Sequence, residues 1–194
     1  MPREGILLVV SGPSGSGKGT LVEKIAENKD YALSISATTR KPRKYEEHGK
    51  HYFFCTKKEF ENLIEDNKLL EWAQFLGDFY GTPKKYVEES IKDGKNIILE
   101  IEVQGALQVK KILPEAVLIF VIPPTVNELR NRLIKRGTES EETINKRISR
   151  ANEEIDLISH YDYLIVNHDI DTAVGDILAI TRAEQLKAGK FTGE

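Results

Sequence analysis

The sequence predicts an α/β fold, a mainly parallel sheet flanked by helices, and three observations carry that reading. Four short runs at residues 6–10, 97–101, 117–122 and 163–166 are rich in branched apolar residues and lack strict polar alternation, as strands buried on both faces do. Seven segments of helical periodicity, at 18–28, 57–66, 84–93, 104–112, 126–136, 141–158 and 171–188, alternate with them. A glycine-rich loop joins the first run to the first of these helices. The chain has 194 residues, enough for one well-buried core.

The first run leads into Gly12-Pro13-Ser14-Gly15-Ser16-Gly17-Lys18-Gly19-Thr20. Strand, loop and helix in that order are the setting of a phosphate-binding P-loop. Gly12, Gly15 and Gly17 let the backbone curl so that its N–H groups converge on phosphate oxygens, and the helix N-terminus adds its positive end. Lys18 supplies a point charge for the β- and γ-phosphates. The residue after the lysine is Gly19, so the hydroxyl available to a Mg²⁺ ion, directly or through water, belongs to Thr20. The loop alone fits a kinase, a GTPase or another ATPase. A GTPase would also show an Asn-Lys-x-Asp segment for guanine, which this chain lacks.

Residues 38–85 read differently, with more aromatics and turn signals, as an inserted subdomain. Arg40 and Arg43 could hold a dianionic phosphate through forked donors, with Pro42 stiffening the turn between them and Tyr52 adding a hydroxyl. Further on, Thr125 is placed to cap the helix at 126–136, with Glu128 three residues later as in a capping box. Arg132 and Arg136 are four apart on that helix and Arg147 lies on the next. His48, His51, His160 and His168 have no required role, Cys55 reads as a strand residue and Trp72 as core.

The formal net charge is −3, with 28 Lys+Arg against 31 Asp+Glu. It is unevenly spread: +3 over residues 38–51, +3 over 123–150 and −6 over 151–194. A mildly acidic balance argues against a nucleic-acid polymer as partner. One cysteine cannot form an internal disulfide. No run approaches the roughly 20 apolar residues of a membrane span, and no secretory leader is visible, so a cytoplasmic protein without a membrane partner is expected.

The segment from Thr38 to Phe54 closely resembles the nucleotide-binding signature of guanylate kinases, through Thr38, Thr39, Arg40, Arg43, Glu46, Gly49, Tyr52 and Phe54. The resemblance continues through Glu71-Trp72-Ala73, Tyr80-Gly81-Thr82, Glu100 to Gly105, Arg136 to Glu139 and Val166-Asn167, and spans residue 5 to about 187. It implies the P-loop nucleotide-kinase fold as one domain over 1–194. Its core would be 1–37, 86–124 and 160–194, with a GMP-binding insertion at 38–85 and a helical lid at 125–159. It implies transfer of the γ-phosphoryl group of ATP to GMP, with dGMP as a further acceptor left open, and Mg²⁺ as cofactor. Gly12 to Thr20, Arg132 and Asn167 would bind ATP, the last two near adenine. Ser36, Glu71, Thr82 and Glu102 would surround guanine, with Glu100 counted in the same set, and Arg40, Arg43, Tyr52 and Tyr80 would hold the GMP phosphate. Lys18, Arg40, Arg136 and Arg147 would serve catalysis.

The chemistry agrees with that assignment. Guanine presents N1–H and N2–H₂ side by side, which a carboxylate accepts together, whereas adenine N1 would repel it. A non-catalytic guanylate-kinase-like interaction module and a kinase for AMP or dTMP are the competing readings, and a homo-oligomer is left open. The intact loop argues against the first and the carboxylates against the second.

Overall fold

The computed structural model describes residues 4–75, 77–135 and 140–188. The chain opens with β1 (Leu7–Ser11), the glycine loop and α1 (Lys18–Ala26), then three short strands, β2 (Tyr31–Leu33), β3 (Ala37–Thr38) and β4 (Phe53–Phe54). Next come α2 (Lys57–Glu65), β5 (Leu69–Phe75), β6 (Asp78–Pro83) and α3 (Lys84–Lys92). β7 (Asn96–Glu100), α4 (Val103–Ile112), β8 (Val117–Ile122), α5 (Val126–Lys135), α6 (Glu141–Ile155), β9 (Tyr163–Val166) and α7 (Ile170–Gln185) complete it.

Five strands form a sheet in the order β2-β7-β1-β8-β9, and every neighbouring pair is parallel. Leu8 and Val10 pack with Leu21, Val22 and Ile25 of α1 and Ala173 and Ile177 of α7 on one face. Leu7 and Val9 pack with Val87 of α3 and with Ala106 and Val109 of α4 on the other. Burial on both faces is the reason the strand runs show no polar alternation. All seven expected helices form, with ends displaced by a few residues. The exception in the sheet is β2, which the sequence does not announce: three residues at the sheet edge are too few for any period.

Residues 38–85 contribute to a second sheet of order β4-β3-β6-β5, in which β6 runs antiparallel to both β3 and β5. Its packing centres on Ala37, Phe60 and Leu69, with Phe53, Leu63 and Phe79 against them. Thr56 caps α2 in a complete capping box: its hydroxyl accepts from Glu59 N–H, and Glu59 accepts from Thr56 N–H. At α5 only half of the expected box is made. Thr125 accepts from Glu128 N–H at 3.0 Å, while the Glu128 carboxylate turns to Arg132. Trp72 was expected in the core but is 39% exposed.

The elements that carry the glycine loop, Glu100 and Asn167 end on one edge. β1 runs into the glycine loop, β7 ends at Glu100 and β9 leads to Asn167, all at carboxyl ends of parallel strands, where open α/β sheets bind ligands. α5 and α6 pack through Leu129, Leu133, Ile144 and Ala151 beside that edge. Gly15 (φ +96°) brings the loop so close to α5 that a Cβ would lie 2.9 Å from Leu129 Cδ1.

The second sheet depends on one ring. Phe60 is fully buried and stacks on Phe79 with centroids 5.4 Å apart. Phe60→Ala is expected to cost about 3–5 kcal/mol, read as a lower denaturant midpoint.

Candidate active site

The glycine loop is shaped by backbone, not by side chains. Gly12 has φ +134° and a Cβ there would lie 2.3 Å from the Val121 carbonyl oxygen, so only glycine lets the loop lie against β8. Ser16 N–H closes a turn onto the Pro13 carbonyl at 3.1 Å. Lys18 Nζ donates back to the Gly12 and Pro13 carbonyls at 2.5 and 3.0 Å, so the charge lies over the curl. The Ser16 hydroxyl is buried without a hydrogen-bond partner among the described residues. Thr20, on the first turn of α1, is exposed.

Three elements converge on this loop. Asn167 Nδ2 and Arg132 Nη1 donate to the Ser16 carbonyl at 2.9 and 3.2 Å. From α6, Arg147 Nη1 donates to the Ser14 hydroxyl at 2.5 Å. Three residues on, and so on the same helix face, Arg150 donates through Nη2 to Glu102 at 3.0 Å and through Nε to Glu154 at 3.0 Å. One helix thus touches the loop and the end of the β7–α4 connection. Arg136 and the rest of 136–139 lie outside the described residues. The sequence reading did not single out Arg150 or Glu154. The available signal was the spacing of Arg147 and Arg150.

A second cluster gathers around Arg40. Its guanidinium pairs with both oxygens of Glu46, at 3.0 and 2.8 Å, and lies 5.4 Å from the Tyr52 ring centroid. Tyr52 and Tyr80 are ring neighbours at 6.2 Å. The Arg40 pair and the Arg43 backbone N–H, which donates to Glu46 at 2.7 Å, hold the Glu46 carboxyl down at about 2. Arg40 is correspondingly held protonated. The structure therefore brings Arg40, Tyr52 and Tyr80 together. The Arg43 side chain donates to the Tyr45 hydroxyl at 3.1 Å, and its charge feels both Arg40 and Glu46.

Glu71 owes its place to a strand irregularity. Leu69 pairs with Pro83 and Trp72 with Gly81, so two residues, Leu70 and Glu71, oppose the single residue Thr82. A bulge re-aims side chains, and here Leu70 and Glu71 are both buried in succession. Glu71 Oε1 accepts from the buried Thr82 hydroxyl at 2.7 Å. Its other oxygen lies 3.1 Å from where a Cβ on Gly105 would be, a contact tighter than most, so α4 comes close to the carboxylate at that glycine. Burial pushes the Glu71 carboxyl above the usual carboxylate range, opposed by the Thr82 bond.

Glu100 and Glu102 separate. Glu102 stands at the N-cap of α4 without capping it, its carboxylate held by Arg150. Glu100 lies beside the loop: a Cβ on Gly19 would be 3.8 and 3.9 Å from its two oxygens. It is exposed by area, yet desolvation raises its carboxyl and Lys18 opposes the rise. Ser36 lies just before β3, its carbonyl accepting from Phe53 N–H at 2.9 Å.

A family model described as guanylate kinase matches residues 4–184. A guanylate kinase of Shouchella clausii is 53% identical over 189 residues, covering 96% of this chain and 92% of its own. One from Bacillus subtilis is 50% identical over 189 residues, covering 96% and 93%. A crystal structure of guanylate kinase from Anaplasma phagocytophilum superposes with a TM-score of 0.76 at 36% identity, covering 98% of this chain and 92% of that one.

Glu71 has a thermal signature. A carboxyl with a raised native pKa binds its proton more tightly folded than unfolded, so its contribution to stability falls as pH rises through the interval between the two values. Glu71→Gln keeps the shape and an acceptor for Thr82 but removes the charge. The variant is expected to melt above the wild type at pH 7 and level with it below about pH 4, where the carboxyl is neutral in both states. Melting curves across that pH range check this.

Proposed function

The chain belongs to the guanylate kinase family and is an ATP:GMP phosphotransferase, and from that premise we propose which of its residues bind each nucleotide and drive the transfer. The observation that carries the proposal is the single span of α6, which holds Arg147 on the phosphate loop and Arg150 on Glu102. The ATP phosphates lie in the loop from Gly12 to Thr20 under Lys18. GMP lies across the second sheet, its phosphate on Arg40, Arg43, Tyr52 and Tyr80 and its guanine among Ser36, Thr82, Glu71 and Glu102. Residues 38–85 act as the acceptor-binding unit and 125–159 as the lid.

In the transfer a GMP phosphate oxygen attacks the γ-phosphorus, a new P–O bond forms, and the bond from γ-phosphorus to the β–γ bridging oxygen breaks, releasing ADP and GDP. The attacking oxygen is already anionic, because the second ionisation of a phosphate monoester lies near 6, so no general base is required. The protein holds both phosphates in line and neutralises the spreading charge. Lys18 serves the β- and γ-oxygens, Arg40 the acceptor phosphate, and Arg147, together with Arg136, the transferring group. Lid closure excludes water, which would otherwise accept the phosphoryl group.

The residues present fit a Mg²⁺ ion that arrives with the triphosphate. Among the described residues no group of three or more His, Cys, Asp and Glu side chains could hold a metal alone. Glu100, beside the loop, and Thr20, on the first turn of α1, are hard oxygen donors of the kind Mg²⁺ accepts alongside phosphates and water. When bound, the ion neutralises charge on the β- and γ-phosphates. Glu100 therefore belongs to the donor side of the cleft. No helix among the described residues is long and apolar enough to cross a membrane.

A coupled ADP-release assay across GMP, dGMP, AMP, UMP and dTMP tests base recognition. GMP is expected to exceed AMP by about 10⁴-fold in kcat/KM, because a buried carboxylate leaves adenine N1 unpaired. Lys18→Ala and Arg147→Ala are each expected to lower kcat by about 10³-fold, as lost phosphoryl-charge stabilisers do. A near-normal rate in either would remove its assigned role.

A further inference from the structure

Arg132 and Asn167, counted above with the donor nucleotide, make their contacts here with the loop's own backbone. The Ser16 carbonyl receives two donors, Asn167 Nδ2 at 2.9 Å and Arg132 Nη1 at 3.2 Å. Arg132 Nη2 donates to the Asn167 carbonyl at 3.0 Å and Nε to Glu128 Oε1 at 2.8 Å, so its fork is fixed from three sides. Asn167 is 5% exposed, and its backbone N–H donates to the Ile122 carbonyl at 2.7 Å. A carbonyl only accepts, so the Asn167 amide must present its NH₂ to Ser16.

Gly17 gives an independent sign that the contact is built in. It has φ +91°, and a Cβ there would lie 2.5 Å from Asn167 Nδ2. The amide of Asn167 fills the space that any side chain at 17 would need. The end of β9 and the last turns of α5 therefore meet at one peptide group, the one joining Ser16 to Gly17.

That peptide is planar, so its carbonyl and its N–H point in opposite directions. Holding the Ser16 oxygen outward fixes the Gly17 N–H the other way. Released, the peptide could rotate and turn an oxygen toward a triphosphate, and the loop would lose the preorganisation on which phosphate binding depends. We infer that Asn167 and Arg132 are positioning residues for phosphoryl transfer, acting through the Ser16 carbonyl on the curl of the phosphate loop, whatever base the donor nucleotide carries.

The inference rests on the reading of residues 12–20 as the triphosphate site, and its test separates the two. Asn167→Leu removes the amide at nearly constant size, and Arg132→Lys keeps the charge but loses the fork. Hydrogen exchange in the nucleotide-free protein should be about tenfold faster or more in the peptide spanning residues 12–20 of each variant, with the peptide spanning Glu71 unchanged. Turnover should fall about tenfold or more, by the same factor with ATP, GTP and CTP as donors, while KM for GMP stays within twofold. The double variant should be no worse than Asn167→Leu, because both residues act on one oxygen. Unchanged loop exchange overturns the inference. So does a loss confined to ATP, which would make the pair readers of the base, or a wild-type rate in Arg132→Lys. Should Asn167→Leu not fold, Arg132→Lys carries the same readouts. Retained activity in Lys18→Ala would overturn the site reading itself and leave the exchange result standing.

Discussion

A loop that turns its amide hydrogens inward to meet an anion must turn carbonyl oxygens somewhere else, and those oxygens need donors. This constraint organises the catalytic edge of the molecule. The Gly12 and Pro13 carbonyls receive Lys18, and the Ser16 carbonyl receives Asn167 and Arg132. Because Lys18 comes from α1, Arg132 from α5 and Asn167 from the end of β9, satisfying three oxygens draws three elements onto the loop. The close approaches at Gly12, Gly15 and Gly17 are the steric counterpart: each glycine lies where a neighbouring element leaves no room for a Cβ.

The same logic of partners governs the charges. The net charge of −3 hides two basic segments, and most of their arginines are set against acids. Arg40 lies on Glu46, Arg132 on Glu128, and Arg150 between Glu102 and Glu154. Exposed ion pairs contribute little to stability, on the order of 0–1 kcal/mol each. Their value here is orientation. Glu46 accepts both from the Arg40 fork and from the Arg43 backbone N–H, so one carboxylate fixes the turn and the guanidinium together. An anionic substrate then meets donors whose directions are already set.

Much of this was legible in the sequence, and the remainder has physical reasons. The loop, the parallel strands and the helices announce themselves because each is a local pattern: glycine spacing, unbroken apolar runs, a 3.6-residue period. Glu46 was visible only as part of a motif, since its job depends on a bidentate geometry that spacing does not encode. The burial of Glu71 depends on a bulge opposite Thr82, which no period reveals. Glu128 stood at a capping-box position, but a guanidinium four residues along the helix competes for the same carboxylate and wins it. Trp72 follows the bulge and lies on the more open side of β5, although its composition suggested the core.

Gly19 shows how a departure from a common pattern can be read from its surroundings. In the commonest form of the loop a hydroxyl follows the lysine, whereas this chain has no side chain there. A Cβ at 19 would stand at ordinary contact distance from both Glu100 oxygens, so sterics alone do not demand glycine. What a hydroxyl at that point would do is hydrogen-bond the carboxylate and tie it to the start of α1. With glycine, residue 19 itself puts no side chain beside the Glu100 carboxylate. Desolvation and the neighbouring carboxylates Glu23 and Glu102 raise its proton affinity, and the nearby Lys18 charge opposes them. The hydroxyl is displaced by one residue to Thr20 and the carboxylate is supplied by β7. β7 pairs in register with β1, Val10 opposite Glu100, so the sheet itself fixes the distance between the acid and the loop.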